Sequence, residues 1–389
     1  MKVWVTGAGG FVGSNVVRVL GERHGAQVLG PTRAEVDVTD GAAVTAAVQA
    51  FAPDAIVHCA ILNDPVALVR DRRAAWEGYV GATRNVVDAG NAVGAHVVLI
   101  STDWVFDGTQ GGATEDEPPN PINAYGFLKA ASELVVLERA TRGAVARIAG
   151  VAGVHWARPS MPRQQDAGLG YLCASVVQTL RAGQRFTVWE SPDINCIATP
   201  TLASDAAELV WRVVDGGHEG VLHCVGGESV DRVTLARRTA LGFGLDAGLI
   251  DVGPPDPKAL GTMRVPYDTS LDATATAARL GVELPDLDTM LGRLRVELDT
   301  ADRGAARSAE ASLERPEADR RHQDSNPPTL DAPRRLPCST SSRWAASAST
   351  STPSRSAFGS PTCAPSPSHS AAARPTSRSP RRGSGCGPR

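Results

Sequence analysis

Residues 2–20 read Lys2-Val3-Trp4-Val5-Thr6-Gly7-Ala8-Gly9-Gly10-Phe11-Val12-Gly13-Ser14-Asn15-Val16-Val17-Arg18-Val19-Leu20, and this stretch decides the fold. A short apolar strand pattern runs into glycines spaced G-x-x-G-x-x-G and then into a helical pattern. Gly7 allows a tight turn, Gly10 lets backbone approach a pyrophosphate, and Gly13 lets the helix pack closely on the strand. The helix start then offers unpaired N–H groups and the positive end of its dipole to phosphate. A glycine triplet alone says little. Between a strand and a helix, beginning at residue 7, it predicts a dinucleotide-binding turn.

The alternation continues outward from that turn. Strands are expected at Lys2–Thr6, Gln27–Gly30, Ala55–Cys59, His96–Ser101 and Ala144–Ile148, with helices near 11–23, 40–51, 72–93 and 123–141. Strands separated by helices of this length imply right-handed crossovers and a parallel sheet. Apolar strands such as Val97-Val98-Leu99-Ile100 suit a sheet covered on both faces. The fold class is α/β, a doubly wound, Rossmann-type parallel sheet over residues 1–150. Residues 151–299 are less regular and read as a smaller mixed α/β substrate lobe, with one strand returning to the main sheet. Helices are expected there near 169–183, 202–215, 232–242 and 286–298, with strands at Phe186–Trp189 and Val221–Val225. Residues 300–389 read as a disordered tail. From 332 onward there are nine Arg, no acid and about fifteen Ser, too little apolar surface to offset chain entropy. A basic nucleic-acid-binding tail and an out-of-frame extension stay open for it.

The net charge of −3 hides two opposite halves. Residues 1–299 carry 25 Lys+Arg against 35 Asp+Glu, and residues 300–389 carry 14 Arg against seven acids. An acidic body argues against nucleic-acid binding, which needs clustered cations. No apolar h-region follows Met1, and no run approaches the roughly 18 apolar residues of a spanning helix. The seven scattered Cys never fall in C-x-x-C spacing, so neither a disulfide framework nor a metal site is expected, and a cytoplasmic location fits.

Cofactor choice is read at the end of the second strand. Leu29-Gly30-Pro31-Thr32-Arg33 lacks the carboxylate that would hold a ribose 2′-hydroxyl, and Arg33 suits a 2′-phosphate. NADPH is therefore favoured, with NADH left open. Asp37 and Val38 follow as adenine-side contacts. The expected cofactor set comprises Gly7, Gly10, Phe11, Val12, Gly13, Arg33, Asp37, Val38, Ala60, Tyr125 and Lys129.

The chain has only four Tyr and three Lys, yet Tyr125-Gly126-Phe127-Leu128-Lys129 places one of each a helical turn apart on one face. Upstream, the His96–Ser101 strand ends in Ser101-Thr102-Asp103-Trp104, at the carboxyl edge where open α/β sheets do chemistry. Tyr125 is the expected proton donor to a nascent alkoxide. Its ordinary pKa near 10 is high for that task, and the Lys129 cation should lower it. Lys129 should also bind the nicotinamide ribose, and Thr102 should donate to the substrate oxygen.

TGAGGFVG, STDWVFDG, the run Glu115–Pro121 and YGFLKAASE together resemble the extended short-chain dehydrogenase/reductases. Within them residues 1–297 are similar to the dTDP-4-dehydrorhamnose reductases and related nucleotide-sugar 4-ketoreductases. The resemblance implies that Thr102, Tyr125 and Lys129 form a catalytic trio and that Thr102, Asp103 and Trp104 face the sugar. It also implies a nucleotide-sugar partner, dTDP-linked as in deoxysugar synthesis, with room for a homodimer. Three departures imply a remodelled sugar pocket: Trp104 replaces a usual Tyr, Tyr79 a usual Asn, and Gly150 a usual Trp. A 4,6-dehydratase would need an acid where Trp104 stands. The alternatives are a nucleotide-sugar epimerase of the same fold, normally with Ser in place of Thr102, and a non-catalytic NADP-binding regulatory subunit, as in methionine adenosyltransferase.

Overall fold

Alternate side chains of the first strand, β1 (Lys2–Thr6), enter different cores, and this fixes the layering. Val3 and Val5 pack with Val16, Leu20, Val210 and Val213 on one face. Trp4 packs with Val44, Val48, Val86 and Val87 on the other. The period of two along a strand thus covers both faces of the sheet with helices. The molecule is described by a computed structural model covering residues 1–62, 65–159, 164–257, 260 and 263–313.

After β1 the chain forms α1 (Phe11–Arg18), which continues as a wider π-type turn over Val19–Arg23, then β2 (Gln27–Leu29) and α2 (Gly41–Phe51). The following strands are β3 (Ala55–His58), β4 (His96–Thr102) and β5 (Gly143–Ile148). The sixth strand of the main sheet, Gly220–His223, comes from the second half of the chain and lies parallel beside β5. From that edge strand the spatial order is β5, β4, β3, β1, β2, and every pairing is parallel. The chain reverses its direction of travel between β1 and β3, so the crevice for a ligand opens at their carboxyl ends.

The glycine turn stands in that crevice. Gly7 has φ +66, in the left-handed region that glycine adopts without steric cost. Its carbonyl accepts the N–H of Gly10 at 2.8 Å. A Cβ on Gly13 would lie 2.1 Å from that same carbonyl oxygen, so the close packing expected of Gly13 is against the turn itself. A Cβ on Gly7 would meet the Ala60 backbone at 2.8 Å. The Thr6 hydroxyl accepts the Ala60 N–H at 3.1 Å and bonds the His58 ring at 2.7 Å, tying the ends of β1 and β3 together.

A separate core of Leu172, Val176, Val177, Leu235, Leu291 and neighbouring residues organises much of the second half. Small sheets accompany it: Ile250–Gly253 beside Phe186–Trp189, and Ile197–Ala198 between Val230–Asp231 and Asp268–Thr269. The final helix begins at Leu287 and runs to Leu313, so the boundary expected at 299/300 falls inside it. The rest of the tail, 314–389, lies outside the described residues. Among the described residues no helix is long and apolar enough to cross a membrane.

Gly13→Ala should destabilise the fold by about 1–3 kcal/mol, because added bulk must displace backbone. Gly9→Ala should be close to neutral, since its Cβ meets nothing within 4 Å. Equal denaturation midpoints for the two variants would contradict this account of the turn.

Candidate active site

Thr102 is the last residue of β4, and the helix Ala124–Arg139 brings Tyr125 and Lys129 to it. That helix starts where it does because the Asn123 side chain accepts the Gly126 N–H at 2.8 Å, a good N-cap. Gly126 lets the helix approach β4 closely: a Cβ there would lie 2.2 Å from the Trp104 carbonyl oxygen. The Tyr125 phenol faces the Thr102 hydroxyl, which favours its ionised form. Its ring stands edge-on between Tyr79 and Trp104, with centroids 6.2 and 6.1 Å away. Two of the residues that depart from the expected pattern therefore build the wall around Tyr125.

The electrostatics differ from the expectation. Tyr125 is pushed up to about 12, first by burial, with the Thr102 hydrogen bond pulling it down and the negative charge of Asp103 adding to the rise. Lys129 does not lower it here, because its ammonium donates to the Ile100 carbonyl of β4. Lys129 is 3% exposed, and burial lowers it to about 8 while the Glu133 and Cys59 charges oppose that fall. Thr102 also differs. Its hydroxyl donates to the Asp103 carboxylate at 2.9 Å rather than pointing into an open cleft.

Beneath the trio lies a buried polar network that local sequence signals did not disclose. Glu133, four residues after Lys129, accepts from Arg147 Nε at 3.1 Å and from its terminal nitrogen at 2.8 Å, and also from Ser101. Both side chains are 2% exposed. Arg147 continues to the His223 ring at 3.4 Å. His223 Nδ1 faces the Asp272 carbonyl at 2.8 Å and must donate to it, which leaves Nε2 to accept from Arg147. Helix, β4, β5 and Gly220–His223 are locked by this chain of contacts. The spacing that singled out Lys129 could have flagged Glu133, one turn further on.

The residues expected on the cofactor side lie in different surroundings. No side chain caps α1 at Gly10, so the helix start is left available to an anion. The Phe11 ring lies 6.1 Å from the rings of His155 and Tyr171, and Val12 packs against the first core. Val38 packs against the opposite core, its carbonyl accepting from Asn85 at 3.0 Å. Arg33 is exposed, and its Nε sits 3.3 Å from Asp37. The two residues expected to hold different parts of a cofactor thus pair with each other, and the Arg33 fork must leave Asp37 to grip a phosphate. Asp37 is held below its ordinary range chiefly by the Thr39 N–H and hydroxyl.

Residues 1–298 match the model of the RmlD substrate binding domain family. A dTDP-4-keto-6-deoxy-D-glucose reductase from Streptomyces niveus is 30% identical over 268 residues, covering 68% of this chain and 86% of that protein. Methionine adenosyltransferase 2 subunit beta from Rattus norvegicus is 28% identical over 255 residues, covering 63% of this chain and 72% of that one. Among solved structures, a dTDP-4-dehydrorhamnose reductase from Bacillus anthracis in complex with NADP is similar in fold. The TM-score is 0.63 at 23% identity, over 76% of this chain and 99% of that one.

Arg147→Met would leave the Glu133 carboxylate buried without its cation, a loss of about 3–5 kcal/mol. The double variant Arg147→Met/Glu133→Leu should recover most of that stability in urea unfolding. A single variant as stable as the parent would show that the pair does not constrain the site.

Proposed function

The chain belongs to the RmlD substrate binding domain family, in the short-chain dehydrogenase/reductase superfamily, and on that premise we propose that it reduces the 4-keto group of a nucleotide-linked 6-deoxyhexose with NADPH. The observation that carries this reading is the meeting of Thr102, Tyr125 and Lys129 at the carboxyl end of β4, beside an uncapped glycine turn. The named relative from Streptomyces niveus acts on such a sugar, and dTDP is the favoured nucleotide.

NADPH, when bound, supplies the hydride. Gly7, Gly10 and Gly13 shape the cradle for its pyrophosphate, with Phe11 and Val12 at the helix start and Ala60 closing the far side. Arg33 would hold the 2′-phosphate, with Asp37 and Val38 toward the adenine. Tyr125 gives its phenolic proton to the oxygen of the carbon being reduced. Buried between Tyr79 and Trp104, the phenol stays protonated until that oxygen becomes more basic than it is. Thr102 donates to the same oxygen as charge develops. Lys129 would hold the nicotinamide ribose if its ammonium left the Ile100 carbonyl, and from there its cation would favour the phenolate left behind. Trp104 cannot exchange a proton, so this site reduces without eliminating water.

A second reading is a binding subunit without turnover, favoured by the similarity to methionine adenosyltransferase 2 subunit beta. The complete trio argues for chemistry, and loss of NADPH absorbance on adding a 4-keto sugar separates the two.

Tyr125→Phe should reduce turnover by about 10²–10⁴, the range for loss of a general acid, while leaving NADPH affinity nearly unchanged. Near-parental rates would exclude Tyr125 as the donor. Arg33→Ala should weaken NADPH more than NADH in titration calorimetry; an equal loss for both, or a parental preference for NADH, would make Arg33 an ordinary surface charge.

A further inference from the structure

Thr102 has one hydroxyl proton, and in this structure it is directed to a carboxylate. The polarity of the surrounding hydrogen bonds shows what could release it. Asn195 is 1% exposed, and its amide nitrogen faces the carbonyls of Ile197, Pro266 and Tyr267 at 3.1 to 3.2 Å. Carbonyls only accept, so that atom is the donor end of the amide. It also lies 3.0 Å from Thr269 Oγ1 and donates to it. The Thr269 oxygen is thereby an acceptor, and its own proton goes to Asp103 Oδ2 at 2.5 Å. The other acceptor within reach of the Thr269 proton, the Ile197 carbonyl, is 3.5 Å away, so Oδ2 is much the better-satisfied oxygen. A proton taken up by Asp103 is therefore favoured on Oδ1, the oxygen facing Thr102 at 2.9 Å.

We propose that Asp103 is a protonation-controlled positioning residue that decides whether the Thr102 hydroxyl serves the substrate. This rests on the reductase reading above. With Asp103 ionised, Thr102 donates to Oδ1 and its oxygen accepts the Trp104 N–H, so its proton is not aimed at a carbonyl oxygen. With Asp103 protonated, Oδ1–H donates to Thr102, and the Thr102 proton turns to the substrate oxygen. No bond is made or broken in this exchange beyond the proton taken from solvent by the carboxylate. The loss of the Asp103 charge acts in the same direction, since that charge opposes ionisation of the Tyr125 phenol.

Burial moves the transition up toward neutrality. Asp103 is 4% exposed, and burial pushes its carboxyl up to about 6, against the hydrogen bonds from Thr269 and Thr102 and the N–H groups of Asp103 and Trp104. Among the described residues the groups acting on it are these hydroxyls and amides, and Tyr125 is the titratable group that faces it. The sign is that of a group needed in its protonated form: hydride transfer is fast below the transition and slows as pH rises through it.

Single-turnover oxidation of NADPH by dTDP-4-keto-6-deoxy-D-glucose, followed from about pH 5 to about pH 9, tests the proposal. The parental rate should fall about 10²-fold or more across that range, the scale for losing one oxyanion donor. In Asp103→Asn the amide oxygen takes the Thr269 proton and its N–H₂ donates permanently to Thr102. The fall should vanish, and at the alkaline end this variant should outpace the parent. Thr269→Val removes a hydrogen bond to the carboxylate and should move the fall to higher pH. The carboxyl ¹³C shift of Asp103, read in the protein alone, should titrate near 6 and move upward in Thr269→Val. An Asp103→Asn rate that is uniformly lower at every pH, or that keeps the parental fall, would overturn the proposal, as would a carboxyl that titrates in the ordinary aspartate range. If the parent oxidises no NADPH while that carboxyl still titrates near 6, the reductase reading has failed and the switch for Thr102 falls with it.

Discussion

The ion pair between Arg147 and Glu133 is the constraint on which the site depends. A carboxylate and a guanidinium, both 2% exposed, have left water at a cost that only good geometry can offset. The geometry is correspondingly complete: two bonds between the partners, a third from Ser101, and a fourth from Arg147 to His223. Arg147 also lies over the Phe106 ring, 5.0 Å from its centroid. Such a pair contributes little net stability compared with an apolar replacement, yet it tolerates few alternative arrangements. It holds the helix Ala124–Arg139 in one rotation against β4 and β5, and that rotation presents Tyr125 to Thr102.

Electrostatic consequences spread from this placement. Lys129 is buried one turn from Glu133, and its ammonium is satisfied by a backbone carbonyl and supported by that negative charge. The same ammonium helps depress His58 to about 3, although burial is the larger cause, so the ring beside the glycine turn is neutral. The phenol, the lysine and Asp103 are each displaced from their ordinary ranges by burial first, and each in the direction that removes charge. The charges of the site are set by burial and by a few specific contacts.

Much of this was legible in the sequence because its signals are local. The glycine spacing, the strand that precedes it and the helix that follows lie within about twenty residues, and β1 occupies Lys2–Thr6 as read. Tyr125 and Lys129 share a helix, so spacing alone put them on one face. Partners distant in sequence left no such signal. Asp103 meets Thr269 across 166 positions, and Asn195 meets Thr269 across 74. The adjoining Ser270-Leu271-Asp272 adds to the family resemblance, but no local spacing ties Thr269 to Asp103. The direction of a long flexible side chain was equally hidden: helical spacing placed Lys129 near Tyr125, whereas the carbonyl of Ile100 settled where its ammonium lies. The final helix outran its expected end at 298 because the change in composition near 300 does not coincide with the helix terminus at Leu313.

The central claim is that this buried constellation turns over rather than merely binds. Protein mixed with excess NADPH and a limiting amount of dTDP-4-keto-6-deoxy-D-glucose measures it directly, with the product sugar identified by mass. The account predicts one NADPH oxidised for each keto sugar consumed and a product heavier by two hydrogens. Tight binding of NADPH with no oxidation, or isomerisation of the sugar without net consumption of NADPH, would contradict it.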